Sequence, residues 1–115
     1  MPIEKRTRVE VFLPLRSDIP AYQVAIDWLS EEFALERGGA TLTTPFAGLF
    51  VSPEQVDVVE DAVRVLHCDF ELDADNLDDR AEIVSHLENV KEFLRNTLDK
   101  EEIWIIFYPI SRVVS

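Results

Sequence analysis

Ile103-Trp104-Ile105-Ile106-Phe107-Tyr108-Pro109-Ile110 carries no charge anywhere along its length. Branched and aromatic side chains dominate it, which favours a strand. Alternation puts Ile103, Ile105 and Phe107 on one face, and Trp104, Ile106, Tyr108 and Ile110 on the other. A strand that is apolar on both faces belongs in a sheet covered on both sides. Whatever packs on its first face, something further must shield its second.

Working outward from that strand, the preceding segment is periodic at helical spacing. Ile83, Val84, Leu87, Val90, Leu94 and Leu98 form an apolar stripe, while Arg80, Glu88, Lys91, Glu92 and Arg95 can face water. Asn76 is a capping residue, and Asp78 and Asp79 suit the positive end of a helix, so the spacing predicts a helix over about 77–98. Before it, Leu66, Cys68, Phe70 and Leu72 alternate with Val65, His67, Asp69 and Glu71, which predicts a strand over about 62–72. Residues 40–51 read as extended, with Pro45 and Gly48 marking a bend or bulge at a sheet edge. Ser52-Pro53-Glu54-Gln55 has capping-box spacing that can open a helix. The β-branched Val56, Val58 and Val59 favour instead a short extra hairpin around 49–59.

Toward the N-terminus, Ser17-Asp18-Ile19-Pro20 supplies a cap and a first-turn proline. Tyr22, Ala25, Ile26, Trp28, Leu29 and Phe33 form the stripe of a first helix that Arg37-Gly38-Gly39 ends. A first strand over about 7–15 places Val9, Val11, Leu13 and Leu15 on one face and Arg8, Glu10 and Arg16 on the other, with Phe12 interrupting the polar side. The order is strand, helix, strand, strand, helix, strand. It resembles the ferredoxin-like βαββαβ sandwich, an α+β fold with an antiparallel four-stranded sheet and two helices on one face. The resemblance rests on element order and implies no functional residues. At 115 residues the chain is expected to be a single domain over 1–115.

The formal net charge is −12, unevenly spread. Residues 1–16 hold four basic side chains against two acids, whereas residues 54–82 hold eleven acids against Arg64 and Arg80. Such a surface repels phosphate backbones and attracts basic partners, so direct nucleic-acid binding is not expected. The bland account of the acids is a solvated face that keeps the protein soluble. One cysteine permits no internal disulfide, and no apolar run is long enough to span a bilayer. A cytoplasmic protein without membrane attachment or cofactor is the expectation.

Candidate chemistry is sparse. His67-Cys68-Asp69 suggests a nucleophile beside a base, but neighbours in a strand point to opposite faces. Cys68 belongs with Leu66 and Phe70 in the core. His67, Asp69 and Glu71 do share a face, as a ligand site or acid–base pair would require. His86 falls on the second helix, on the other side of the sheet, so a two-histidine metal site is not expected. The acids of 69–79 fail the calcium-loop pattern: counted from Asp73, Asp78 stands where glycine is needed and Val84 where a bidentate Glu is needed. Counted from Asp69, Ala74 and Arg80 occupy those positions. A weak divalent-cation site is what remains of that reading. Glycines Gly38, Gly39 and Gly48 form no phosphate loop.

The face away from the helices is expected to present Phe12, Val65, Trp104, Ile106 and Tyr108, more apolar surface than a soluble monomer usually shows. A symmetric homodimer packed sheet to sheet would cover it, as would the C-terminal tail or the 44–60 segment. Three functional readings follow. The favoured one is a non-enzymatic, acidic interaction or regulatory module, homodimeric through the open face. It meets a basic protein, in one form by imitating nucleic-acid phosphates. The second is a small enzyme or ligand-binding domain with a pocket near His67. The third is the weak cation binder.

Overall fold

The computed structural model describes residues 2–14, 20–51, 58–98 and 103–114 of the chain. The elements are β1 (Ile3–Pro14), α1 (Pro20–Arg37), β2 (Thr41–Leu42), β3 (Phe46–Val51), β4 (Val58–Phe70), α2 (Leu77–Leu98) and β5 (Trp104–Val113). The sheet runs β2–β4–β1–β5, with β3 also pairing β4, and every pairing is antiparallel. Val63 pairs with Pro14 on one side and Phe46 on the other, while Leu66 pairs with Val11 and with Leu42. β2 and β3 therefore share the edge of β4 that β1 does not use, and the sheet is four strands wide. This is the ferredoxin-like βαββαβ arrangement.

The break between β2 and β3 is a bulge. Leu42 faces Leu66 and Phe46 faces Val63, so the edge strand takes one more residue than β4 over the same interval. Thr43 manages the insertion. Its amide donates to the Val65 carbonyl at 2.9 Å, and its Oγ1 accepts the Val65 amide at 3.0 Å. The Thr43 carbonyl accepts from Arg64 Nε at 3.0 Å. Pro45 sits where a missing amide costs no ladder bond.

The pairing Val51↔Val58 makes β3 and β4 a hairpin, as the branched valines suggested, and excludes a helix at 58–60. Residues 52–57 and the capping signal at 17–19 lie outside the described residues. β1 begins at Ile3, earlier than periodicity implied, because it pairs with β5 from Ile3↔Val113 onward.

Both helices pack on one face through the stripes read from sequence. Tyr22, Ala25, Ile26, Leu29 and Phe33 of α1 and Ile83, Leu87, Val90, Leu94 and Leu98 of α2 meet Val9, Val11, Leu66, Cys68 and Phe70 of the sheet. Val84 is a correction: it is exposed, and Phe93, which the stripe did not include, packs against the core and stacks on Trp28 with ring centroids 3.8 Å apart. Gly38 closes α1 at φ 89°, donating its amide to the Ala34 carbonyl. Asn76 Oδ1 accepts the Asp79 amide and caps α2. No helix among the described residues is long and apolar enough to cross a membrane.

Candidate functional site

The sheet face opposite the helices is set rung by rung by register. Phe12 stands between Val65 and Trp104, Glu10 between His67 and Ile106, and Arg8 between Asp69 and Tyr108. Further along, Arg6 pairs with Ile110 and Glu4 with Arg112. The face is consequently divided, apolar at one end and ionic at the other.

At the ionic end, Arg8 donates Nε to Asp69 Oδ1 at 2.8 Å and Nη2 to Oδ2 at 3.0 Å. This two-pronged contact holds the Asp69 carboxyl below its ordinary range and keeps Arg8 charged at any accessible pH. Arg6, whose side chain is largely buried, contacts Glu4 at 2.6 Å and Glu71 at 3.3 Å, and Arg112 reaches Glu4 at 3.2 Å. Tyr108 donates its hydroxyl to Glu10 at 3.1 Å; desolvation, then that contact, raises its pKa.

A cleft of about 430 Å3 opens beside this network, between the Gly38–Thr41 stretch and the edge of β4. Arg6, Arg8, Arg37, Arg112, His67 and Asp69 line it. His67 makes no hydrogen bond among the described residues. Cys68 forms part of the wall, but it is 1% exposed, donates its thiol to the Gly39 carbonyl at 3.0 Å, and has its pKa pushed up to about 12 by burial. It is a core thiol rather than a nucleophile at neutral pH. His86 lies on the helix side, stacked on Phe70, accepting from Arg37 Nε at 3.0 Å through Nδ1. Its other nitrogen therefore carries the proton and faces Glu32 at 3.2 Å.

The acids of 69–79 are largely engaged within the fold. Asp69 and Glu71 pair with arginines, Asp73 Oδ1 accepts the Asp75 amide, and Asp79 Oδ2 accepts the Asp73 amide. Among the described residues no three His, Cys, Asp or Glu side chains group as metal ligands would. The sequence placed His67, Asp69 and Glu71 on one face, and they share it. It did not show that arginines from β1 would take both carboxylates, because strand register is set by the tertiary pairing.

At the apolar end Trp104 and Ile106 are 55% and 43% exposed, and Tyr108, at the boundary with the ionic end, is 38% exposed. Phe12 is half-buried and meets Trp104 edge-on at 6.3 Å. Val65 is buried and adds little to the surface. Among the described residues, β3 runs along the sheet edge and residues 111–113 continue β5, while residues 52–57 of the 44–60 segment lie outside the described residues.

Fold and face together define a ferredoxin-like α+β domain with a divided open sheet. Among solved structures it is similar to CutA1 from Oryza sativa, at 14% identity and TM-score 0.56, over 93% of this chain and 81% of that one. It is similar too to a divalent cation tolerance protein, CutA1, from Thermus thermophilus, at 15% identity and TM-score 0.56, over 92% and 84%. A third likeness is to CutA from Synechococcus elongatus, at 9% identity and TM-score 0.57, over 96% and 85%. At these identities the likeness is one of fold. No protein-family model matches the sequence, and no curated protein matches it.

Proposed function

We propose that this protein is a non-enzymatic, acidic interaction module that associates with a second copy of itself through the apolar end of its open sheet face. The observation that carries this reading is the side-by-side exposure of Trp104, Ile106 and Tyr108 on an ordered edge strand. Exposed aromatic groups beside an aliphatic one are the usual anchors of an interface. A second copy suits them better than an acidic ligand or nucleic acid, because Trp104, Ile106 and Tyr108 carry no charge and the neighbouring Glu10 carboxylate disfavours an anion. A symmetric contact also lays each edge strand against its equivalent. Exposed acids such as Asp75, Asp78, Glu88 and Glu92 are then free to meet a basic protein.

Light scattering coupled to gel filtration at micromolar concentration tests the reading. The wild type is expected at twice the 13.2 kDa of the chain, and Ile106→Glu at 13.2 kDa with unchanged circular dichroism. A wild-type protein that elutes cleanly as a monomer overturns it.

A further inference from the structure

The cleft at the ionic end gathers arginines on a chain whose net charge is −12. Four arginines, His67 and Asp69 line it, and each arginine is ion-paired, Arg8 to Asp69 and the others to Glu4, Glu71 or Glu82. The arginines come from β1, β5 and the end of α1: Arg6, Arg8 and Arg112 stand on the open face of the sheet, while Arg37 turns to Phe70, His86 and Glu82 on the helix side. Their carboxylate partners orient them without using them up. Arg8 spends Nε and Nη2 on Asp69, Arg6 spends Nε and Nη2 on Glu4 and Glu71, and Arg112 spends Nη2 on Glu4. Arg8 also hydrogen-bonds Tyr108, so among the described residues the Nη1 groups of Arg6 and Arg112 are the ones that remain without a hydrogen bond. Guanidinium groups fixed this way are preorganised donors for an oxyanion.

Gly39 adds an independent observation. Its φ is ordinary, and a Cβ built there meets nothing within 4 Å, so neither backbone strain nor packing calls for glycine. Gly39 is exposed and lines the cleft, and without a side chain its backbone is open to close approach. The cleft volume exceeds what a lone phosphate needs and falls in the range of small-molecule sites.

We infer that this cleft binds a small molecule carrying a phosphate or diphosphate group, held by Arg6, Arg8 and Arg112 with His67 at the rim. The site borders the Trp104 patch, since Arg8 pairs with Tyr108, but its lining includes none of the patch residues and it does not depend on self-association. Calorimetric titration with inorganic pyrophosphate at low salt tests it. The wild type is expected to bind saturably, one per chain. Arg112→Met should weaken binding about tenfold, the loss of one charge-assisted contact. Gly39→Val should also weaken it, by filling the opening. Lys5→Met removes the same charge from an exposed position outside the cleft lining and should change affinity less than about twofold. Ile106→Glu, made to abolish self-association, should bind as the wild type does, which keeps the two proposals separable. Absence of binding up to about 1 mM pyrophosphate overturns the inference. So does a loss in Lys5→Met equal to that in Arg112→Met, or unchanged affinity in both Arg112→Met and Gly39→Val.

Discussion

Arg8 and Asp69 face each other across β1 and β4, and their pairing sets a pH dependence whose sign follows from the shift. Asp69 titrates lower in the folded chain than when unfolded, chiefly because Arg8 hydrogen-bonds its charged form. The pair therefore contributes its full stability above the ordinary Asp pKa of about 4 and loses it as pH falls through the folded value. Over a third of the Arg8 side chain is exposed, so solvent screening limits the pair to about 1 kcal/mol. Asp69→Asn is expected to lower urea stability by about that amount at pH 7. It should also flatten the decline in stability between about pH 4 and 2. A variant that loses stability equally at both ends of that range would show the pair to be electrostatically silent. This contact was not legible in the sequence: alternation assigns each residue a face, but only register brings Arg8 opposite Asp69.

At the scale of elements, what could be read locally was read. The bounds of α2 follow from Asn76, the acids behind it and a stripe ending at Leu98, all signals carried within the segment. α1 ends where Arg37 meets Gly38, for the same local reason. The bend or bulge signalled by Pro45 and Gly48 is found at the sheet edge between β2 and β3, whereas the start of β1 depends on its pairing with β5 and is not visible in periodicity. Val65 is buried although it lies on the open face, where it stands opposite Phe12 across the ladder, a burial that alternation alone does not show. The Asn76 cap gives the element-scale prediction. Asn76→Ala removes the acceptor of the Asp79 amide and should cost about 1 kcal/mol, seen as a lower thermal midpoint. Asn76→Asp, which keeps an acceptor there, should restore most of it. If Asn76→Ala melts with the wild type, the Asp73–Asp79 contact at 2.9 Å holds the turn unaided.

For the whole molecule, self-association must work against like charge, since each copy carries −12. An uncharged contact centred on Trp104 and Ile106 gains nothing from weak screening, whereas mutual repulsion of the two copies is strongest at low salt. Raising salt from about 0.05 to about 0.5 M shortens the screening length and should therefore tighten the dimer several-fold. Binding of a basic protein by the acidic surface should weaken over the same range, because its attraction is screened. The two responses have opposite signs, so sedimentation at several salt concentrations separates them without mutagenesis. If the dimer instead dissociates as salt rises, copies are joined through charged groups. The contact then lies at the Arg8–Asp69 end of the sheet, and Trp104 is a spectator. If salt has no effect while Ile106→Glu still yields a monomer, the apolar contact stands. The acidic surfaces are then directed away from each other in the assembly.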